Sequence, residues 1–525
     1  MNKRQKYEKL KNEYGKDPRD LSNIKESRDM LRLVKIYHDI KKDDTPGSID
    51  SITWNDLEMD EIYHLVNHTR SYAGEQFLYH LLHMPQSETR AELDKGAEFF
   101  EEHEKERIDT EIGLMSLGKG YLDYYLSETI SDIDCLNMKH KLLYPTLCVL
   151  LFGSIALAIV NHMFIGLSII IAVINLVVYM VVKLRYENEI YSLGSIVGLV
   201  RFVDHIIRYD GLSELYSDKG MENSLKNVKK ATSFLEYLRF TRQLGKSGEP
   251  LGVVAEYLAG VTMIDSICCS IAAKRLIKYQ NEIMQLFEFA GWLDASIAVA
   301  SFRKCIPTCK PDIDGSKYIR CDGLYHPLIK DAVKNDFHMR RNSFFTGANA
   351  TGKSTFMKAV AINVILGETI STCTAEAMAF PDMYVMTSMA LRDDILSGES
   401  YYVREIKYLK RMIEKVTSGV KTLIVIDEIL KGTNTKERIQ ASKAVLEYLQ
   451  DTEAVVITAT HDMELVDLMK DTYDAYYFDC LVEDGQINFN YVLHEGRNET
   501  TNAITLMSVM GFPKEIIDKA NIGGY

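Results

Sequence analysis

The feature that most constrains the fold is a short run of glycine, lysine and hydroxyl residues, GANATGKS, at positions 347–354. It has the spacing G-x-x-x-x-G-K-S, in which glycines let successive backbone N–H groups turn inward around an anion. A segment that reads as a short buried strand, NSFFT, precedes it at 342–346, and a helical pattern of apolar residues follows at 356–365. The sequence therefore predicts a buried strand, a phosphate-binding loop and a helix, which together are typical of an α/β domain.

The residue types in this loop suit the phosphates of a nucleotide. The N-terminus of the following helix attracts anions, Lys353 is expected to reach the β- and γ-phosphates, and the Ser354 hydroxyl is expected to bind Mg²⁺. A chance match in an unrelated loop is the alternative, and the flanking strand and helix argue against it. ATP and Mg²⁺ are therefore the predicted cofactors. The predicted nucleotide contacts are Gly347, Ala348, Asn349, Ala350, Thr351, Gly352, Lys353, Ser354 and Thr355.

Two more apolar runs end in polar residues suited to nucleotide hydrolysis. The run at 423–426 ends in Asp427, which is placed to order the Mg²⁺ shell, and Glu428, the candidate general base for the attacking water. The run at 454–459 is followed by His461, a candidate γ-phosphate sensor. The competing interpretations are acids that only decorate a strand end and a histidine that is a satisfied polar residue. Their order after the phosphate loop favours the catalytic interpretation.

A second strong signal is a pair of uncharged apolar runs at 142–160 and 164–182, separated by a three-residue turn at 161–163. Each run is about long enough to cross a bilayer as a helix. Neither Lys nor Arg lies in the turn. Basic residues flank the two outer ends of the pair: Lys139, Lys141, Lys183 and Arg185. By the positive-inside rule, this pattern predicts a helical hairpin in the cell membrane with both soluble flanks in the cytoplasm. The alternative is a helical hairpin buried inside a large soluble core.

Length and charge bound the architecture. A chain of 525 residues predicts several domains, and a net charge of −13 argues against a protein that coats nucleic acid over its whole surface. Nine cysteines without a completing histidine cluster favour free thiols in a reducing compartment over a zinc site. The predicted divisions are a charged helical segment at 1–50, two helical parts at 51–141 and 184–305, the hairpin at 142–183, and an α/β nucleotide-binding domain at 306–525.

Four motifs in this order, TGANATGKST, DDILSGESYYVRE, LIVIDEILKGTNT and ATHDMEL, resemble the ATPase domain of the MutS family. The family's loop, T-G-P-N-M-x-G-K-S-T, differs from this chain at Ala348 and Ala350. Its D-E-[IL]-G-R-G-T-S-T element differs at Leu430, Lys431 and Asn434. The resemblance implies an α/β P-loop ATPase domain of ABC and MutS type, preceded by a mostly α-helical lever domain that carries the transmembrane hairpin.

The segment 396–400 resembles a degenerate ABC signature, in which a serine and a helix N-terminus complete the nucleotide site of the opposite subunit. Taken alone, the same residues are equally an ordinary loop and N-cap. Together with the family resemblance they imply a homodimer through the ATPase domains, with Ser400 reaching the γ-phosphate bound by the other subunit.

The resemblance also carries expectations about partners. It implies an adenine contact near Asn335 and Asp336, where this chain has Ala332 and Val333. It implies DNA as a partner, and the hairpin stands roughly where repair members carry their DNA clamp. Residues 1–50 are too few for the family's mismatch-reading and connector domains, so those domains are not expected before the lever.

Three functions remain open at this stage. The first is a membrane-anchored, homodimeric MutS-like ATPase that binds DNA and is related to mismatch repair or other DNA processing. The second is a membrane-linked mechanical or signalling ATPase with no nucleic-acid ligand. Five basic residues bear on this choice, because they form either a DNA-facing stripe or a solvated helix face: Lys226, Lys229, Lys230, Arg239 and Arg242. The third, half of a transporter, ranks last because one hairpin provides too few spans and no intramembrane charge.

Overall fold

The computed structural model of the chain describes residues 2–21, 24–42, 47–136, 142–212, 215, 219–233, 250–313, 316–347, 351–389, 401–483, 486–497 and 511–522. Predicted functional positions outside these ranges are Lys139, Lys141, Arg239, Arg242, Ala348, Asn349, Ala350 and Ser400. The helices are α1 Lys3–Glu13, α2 Pro18–Leu21, α3 Ile24–Lys41, α4 Ser51–Asp56, α5 Met59–Val66, α6 Tyr72–His83, α7 Ser87–Glu102, α8 Glu104–Met115, α9 Leu126–Ser131, α10 Leu143–Val160, α11 Ile165–Arg185, α12 Glu187–Ile207, α13 Lys219–Thr232, α14 Pro250–Thr262, α15 Ile264–Leu276, α16 Gln280–Cys305, α17 Lys353–Ile370, α18 Tyr401–Thr417, α19 Thr435–Gln450, α20 Met463–Leu468 and α21 Lys514–Ile522. The strands are β1 Asp312–Ile313, β2 Arg320–Leu324, β3 Asn335–His338, β4 Ser343–Thr346, β5 Ala377–Phe380, β6 Tyr384–Ser388, β7 Thr422–Asp427, β8 Ala454–Ala459, β9 Asp474–Glu483 and β10 Gln486–Glu495.

The helical part is organised around α16, which is buried along most of its 26 residues. Apolar and small side chains lie on all sides of this helix, so α6 and α7 pack against it closely. In its middle, Asp294 accepts hydrogen bonds from the backbone N–H groups of Arg70 and Ser71, both at 2.8 Å, and so fixes the start of α6. Near its C-terminal end, Arg303 donates to Thr372 Oγ1 at 3.0 Å. One helix therefore connects the helical core to the α/β part.

The α/β part contains a six-stranded sheet in the order β10-β9-β4-β8-β7-β6 and a smaller sheet in the order β1-β5-β2-β3. In the larger sheet, every neighbouring pair is parallel except β9 and β10. Its central strands are buried along their length, as expected of apolar runs in a parallel sheet covered by helices. Ala459 pairs with Phe345 on one side and with Asp427 on the other. The phosphate loop, the acids after β7 and His461 therefore meet at one edge.

The two hairpin helices, α10 and α11, expose most of their apolar side chains. Within the described residues, four helical stretches are long and apolar enough to cross a membrane: Leu143–Val160, His162–Arg185, Glu189–Ile207 and Ile264–Cys305. The buried share is 22% and 17% for the first two, against 50% and 78% for the other two, which pack into the helical core. The exposed apolar surface thus belongs to the hairpin singled out from the sequence, and that hairpin is not enclosed in a soluble core.

The expected fold class is present in its coarse form, because a mostly helical region precedes an α/β region. The helix after the phosphate loop begins earlier and ends later than the predicted 356–365, at Lys353 and Ile370. The segment 1–50, predicted as helical and charged, contains three helices in its described parts. Gly15 adopts a left-handed φ of +76° that ends the first helix, and Pro18 starts the short second one.

Candidate nucleotide site

The phosphate loop leaves β4 at the carboxyl edge of the sheet and enters α17 at Lys353. Gly347 and Gly352 both have left-handed backbone, with φ of +129° and +107°. A Cβ at Gly347 would collide with the carbonyl oxygen of Phe478 on β9. The loop therefore requires glycine where it begins, and glycine is strongly favoured where it ends. Its middle, residues 348–350, lies outside the described residues.

Lys353 is buried, and its side chain folds back over the loop. Its Nζ donates a hydrogen bond to the carbonyl oxygen of Gly347. Burial lowers the pKa of this ammonium, and the nearby carboxylates of Asp427 and Glu428 oppose that shift. A cation beside the N–H groups at the N-terminus of an 18-residue helix is well suited to bind phosphate oxygens.

Ser354 and Asp427 are the two residues that the sequence assigns to the metal. The Ser354 hydroxyl donates to Asp427 Oδ2 at 2.6 Å, joining the start of α17 to the end of β7. Both groups offer oxygen, the ligand type that Mg²⁺ prefers, so these residues fit that ion. No group of three or more His, Cys, Asp and Glu among the described residues could hold a metal alone, so phosphate and water would complete the shell. Thr351 is buried next to this pair, and Thr355 is exposed.

Glu428 follows β7 in a left-handed conformation, with φ of +61°. Its backbone N–H donates to the carbonyl oxygen of Ala459 at 3.1 Å, so the end of β8 holds it in this strained position. Its carboxylate lies 3.3 Å from His461 Nε2 and 3.2 Å from Lys431 Nζ. The hydrogen bond from His461, with the attraction of Lys431, lowers the pKa of Glu428 to about 2. The carboxylate is therefore ionised at neutral pH, which is the form that a general base needs.

Of the predicted catalytic residues, the structure brings Glu428 and His461 together beside the Ser354–Asp427 pair. Ser400 belongs to the signature-like segment that lies outside the described residues, which resume at Tyr401 with α18. Its assignment to a partner's γ-phosphate stays a prediction.

Glu405 on α18 is a residue of this site that the sequence analysis did not single out. It is buried, and its two carboxylate oxygens accept from the backbone N–H groups of Lys431 at 2.9 Å and Gly432 at 3.1 Å. Burial raises the pKa of Glu405, and the two N–H groups oppose the shift. The Glu405 carboxylate therefore fixes the loop that follows Glu428 and ties this loop to α18. Nothing in the spacing of the motif points to this contact.

A cavity of about 640 Å³ opens beside the phosphate loop and is of the size class that binds small ligands. Ala332 and Val333 line it, where the resemblance implies the adenine contact. His326 lines it as well, and burial lowers the pKa of its imidazole to about 4. The imidazole is therefore neutral near pH 7 and offers a hydrogen-bonding group without a charge.

Tyr491 on β10 is one of four aromatic residues among those that line this cavity, with Tyr325, Phe356 and Phe478. Its ring lies against Gly352, where an added Cβ would approach within 3.1 Å of the ring. Asn335 holds this part of β10, because its Nδ2 donates to the Tyr491 carbonyl oxygen at 3.0 Å and its Oδ1 accepts from the Leu493 N–H at 2.7 Å. The sequence analysis did not single out Tyr491, since a strand far along the chain brings it to the loop.

Known proteins match the part of the chain that forms this site. Residues 343–522 match the family model described as MutS domain V. The chain is similar to the DNA mismatch repair protein MutS of Pseudothermotoga lettingae, with 30% identity over 268 residues, 49% of this chain and 32% of that protein. It is also similar to the proteins of the same name from Fusobacterium nucleatum subsp. nucleatum, with 31% identity over 40% of this chain and 25% of that protein, and from Natronomonas pharaonis, with 29% identity over 44% and 28%.

This chain spans a third or less of the length of those three relatives. The matched family region begins at the strand before the phosphate loop and includes both acids after β7 and His461. The phosphate loop, the two acids and His461 therefore lie in the region that the family model matches, while the cavity residues His326, Ala332, Val333 and Asn335 precede it. Residues 343–522 match MutS domain V, so the resemblance to the MutS family is confirmed for this part of the chain.

Proposed function

We propose that the chain is a membrane-anchored, homodimeric ATPase that binds ATP with Mg²⁺ in its MutS domain V and hydrolyses the nucleotide there. The observation that carries the proposal is the meeting, at one sheet edge, of buried Lys353, the Ser354–Asp427 pair at 2.6 Å and ionised Glu428. MutS domain V is the ATPase domain of its family, which supports the same reaction class.

Each described residue has a role in this proposal. Lys353 and the N-terminus of α17 bind the β- and γ-phosphates. Ser354 and Asp427 hold Mg²⁺, which when bound neutralises charge that develops on the phosphate oxygens. Glu428 orients the attacking water and accepts its proton. We assign two roles to His461, 3.3 Å from Glu428: it orients that carboxylate and senses the γ-phosphate.

Tyr491 and the cavity beside it are assigned to the base and ribose. An aromatic ring against the phosphate loop can stack on a purine, because every base offers a π face. Ala332 and Val333, in the connection between β2 and β3, then contribute apolar contacts to the base. The adenine contact in this chain therefore rests on Tyr491 more than on the segment before Asn335.

The dimer is proposed from the family resemblance and the position of Ser400. ATP bound by one subunit would be completed by Ser400 of the other, and Glu405 would couple that segment to the loop after Glu428. Mixing Ser400→Ala with Lys353→Ala subunits tests this arrangement. If Ser400 acts in trans, each mixed dimer has one site in which an intact phosphate loop meets an intact serine and one site that carries both changes, so hydrolysis should partly recover on mixing. Absence of recovery in dimers shown to be mixed would contradict action in trans.

Anchoring in the membrane is proposed from the exposed apolar surface of α10 and α11, with both soluble parts in the cytoplasm. Exposure of an apolar surface of this length to water is unfavourable in free energy, and contact with lipid acyl chains removes that penalty. Replacing 142–182 by a short Gly/Ser linker should move the protein from the membrane pellet to the soluble fraction. A control linker of the same composition inserted at the exposed Gly419 turn should leave it in the pellet. A deletion variant that still pellets would contradict the anchoring.

DNA is the proposed ligand by family, since the relatives bear the name DNA mismatch repair protein MutS. One observation favours the alternative, a mechanical or signalling ATPase without nucleic acid. Lys229, part of the basic stripe, pairs with Asp204 at 2.7 Å within the same chain and is thereby partly neutralised. ATP hydrolysis by the detergent-solubilised protein, measured with duplex, mismatched and branched DNA at two salt concentrations, separates the two. Stimulation that weakens with salt supports DNA, and indifference to every DNA supports the alternative.

A further inference from the structure

The short helix α14 ends against the middle of the hairpin. Asn175, halfway along α11, is fully buried, and its Nδ2 donates to the carbonyl oxygen of Val261 at 2.8 Å and of Leu147 at 3.3 Å. Next to Val261, Gly260 lies so close to the ring of Tyr179 that a Cβ there would come within 2.7 Å of it. Three helices thus touch at one level, held by one amide and one glycine.

The depth of this level follows from the geometry of α11. Ten residues separate Asn175 from Ile165 at the tip, and ten separate it from Arg185, which is about 15 Å each way at 1.5 Å per residue. Exposed apolar side chains occur over the whole length, from Ile165 through Val173 to Leu184. That surface of about 30 Å matches the hydrocarbon thickness of a bilayer. If lipid covers it, Asn175 and the end of α14 lie near the bilayer mid-plane.

The composition of α14 suits such a place. Its sequence, PLGVVAEYLAGVT, carries one charged residue in 13 and is too short to cross a bilayer, since it measures about 20 Å. Val254, Tyr257 and Leu258 are exposed, with 52–61% of each residue accessible, and their i, i+3, i+4 spacing puts them on one face. The chain comes from α13 and returns through α15, both of which pack against the helical core. An apolar helix of this length that lies between two core-packed helices in chain order fits a re-entrant segment.

We propose that α14 is a third membrane-embedded segment, a half-length re-entrant helix that ends near the mid-plane against Asn175 and contacts lipid acyl chains through Val254, Tyr257 and Leu258. This inference rests on the proposed anchoring of the hairpin and adds a second lipid-facing element to it. The last carbonyl groups of a helix lack partners within that helix, and in hydrocarbon each unpaired carbonyl costs several kcal/mol. Asn175 supplies a donor to one of them, which gives a physical reason for an amide in an otherwise apolar helix.

The end of α14 returns to the core in a way that agrees with this position. Met263 takes a left-handed φ of +56° and breaks the chain direction between α14 and α15. Asp265, the first acid beyond the break, accepts from the Tyr179 hydroxyl at 3.4 Å, one helical turn from Asn175 toward the base of the hairpin. This acid therefore has a hydrogen-bond donor from α11.

Depth-dependent fluorescence quenching tests the proposal on the full chain in lipid vesicles. Three variants each add one tryptophan: Leu258→Trp on α14, Ile170→Trp on the hairpin, and Leu468→Trp on the exposed surface of the ATPase domain. The native Trp54 and Trp292 belong to the helical core and give the same background in all three. The vesicles contain phosphatidylcholine brominated along its acyl chains, and unbrominated vesicles give the reference intensity.

The expected result is quenching of Leu258→Trp and Ile170→Trp and none of Leu468→Trp. Quenching of Ile170→Trp without quenching of Leu258→Trp would overturn the place of α14 in lipid and leave the hairpin anchor standing. Absence of quenching at Ile170→Trp would contradict the anchor itself and the inference with it. The two failures are therefore distinguishable in one experiment.

Substitution of Asn175 tests the hydrogen bond that holds α14. Asn175→Leu in the Leu258→Trp background should reduce the quenching of that tryptophan while the protein stays in the membrane fraction, because the apolar hairpin is preserved. Ser168→Leu, a half-buried polar position on the same helix, is the matched control and should leave the quenching unchanged. Equal quenching in Asn175→Leu and its parent would show that this amide does not position α14.

Discussion

At the phosphate-loop edge, polar atoms from separate segments meet within hydrogen-bonding distance, whereas in the hairpin one continuous segment exposes apolar side chains. Ser354, Asp427, Glu428 and His461 come from three segments of the chain, and each contact has one donor and one acceptor. In the hairpin, Asn175 and Tyr179 are the described residues with hydrogen bonds of this kind to other segments. The proposed function of the first region therefore depends on a few individual polar atoms, whereas that of the second depends on the total apolar surface. Single substitutions should differ in effect accordingly.

The largest effect is expected from Lys353→Ala. Its ammonium is assigned two phosphates, and charge-assisted hydrogen bonds contribute about 1.5–3 kcal/mol each, so ATP affinity should fall roughly a hundredfold or more. Binding of a fluorescent ATP analogue measures this. Lys443→Ala, which removes a surface charge paired with Glu447 on α19, is the control and should bind as the parent does. Equal affinity in both variants would remove Lys353 from the site.

Glu428→Gln should preserve ATP binding and lower the hydrolysis rate about 10²- to 10³-fold, since general base catalysis contributes in that range. The pKa of Glu428 is lowered to about 2, so its basic form is already complete well below neutral pH. Titration of Glu428 should therefore not change the activity of the parent from pH 5 upward. The contribution of this carboxylate to activity should be lost only as the pH falls toward about 2. A parent profile that rises through pH 6–7 and is flat in Glu428→Gln would assign that titration to Glu428 and contradict the lowered pKa.

Tyr491→Ala should weaken ATP binding roughly tenfold to a hundredfold, because stacking on a base contributes about 1–3 kcal/mol. Tyr491→Phe keeps the ring and should bind nearly as the parent. Titration calorimetry with ATP and with inorganic triphosphate sharpens the test, since only ATP has a base to lose. A similar loss for both ligands would indicate that Tyr491 supports the loop at Gly352 rather than the adenine.

Glu405→Gln should lower the hydrolysis rate about tenfold with little change in ATP affinity, because a charged acceptor of two N–H groups becomes a neutral amide. Glu414→Gln lies on the same helix in an exposed pair with Lys410 and serves as the control. Steady-state kinetics separate the two variants. A Glu405→Gln enzyme with parental rate would mean that the loop after Glu428 is fixed without this carboxylate.

The smallest effect is expected from Ile170→Ala in the hairpin. Burial of the removed carbon atoms is worth about 2–3 kcal/mol, a minor part of the apolar surface that α10 and α11 expose. The fraction of protein in the membrane pellet should stay unchanged, in contrast to the deletion of 142–182. Release by this single substitution would mean that the hairpin is held by a specific contact, as the phosphate site is, and the comparison would fail.

The same contrast explains what the sequence could predict. Gly347, Lys353, Asp427, Glu428 and His461 could be named in advance, because phosphate chemistry demands those residue types at the ends of buried strands. The hairpin could be named because a bilayer demands length and low charge. In both cases the ligand, phosphate or lipid, restricts which residue types can occur at which spacing, and that restriction is visible in the sequence.

Residues whose position depends on packing between distant segments could not be named. Tyr491 reaches the phosphate loop because Asn335 holds β10 beside β3, and Glu405 reaches residues 431–432 because α18 packs against β7. Neither contact leaves a local spacing to recognise. In α14, the apolar run is too short for a membrane span, and only Asn175 beside Val261 reveals its depth. Local patterns therefore identify groups that bind ligand or lipid, while the groups that hold them come from tertiary contacts.

The long buried helix α16 has a mechanical consequence. At its C-terminal end, Arg303 hydrogen-bonds to Thr372 of the α/β part. At its N-terminal end, a short turn joins it to α15, which begins after the left-handed Met263 beside the hairpin. A rigid rod of 26 residues is about 39 Å long, so a tilt of about 10° at the nucleotide end would sweep the far end through roughly 7 Å. A small change of angle at the nucleotide end would therefore become a displacement of several ångströms at the end that leads, through α15, to the hairpin.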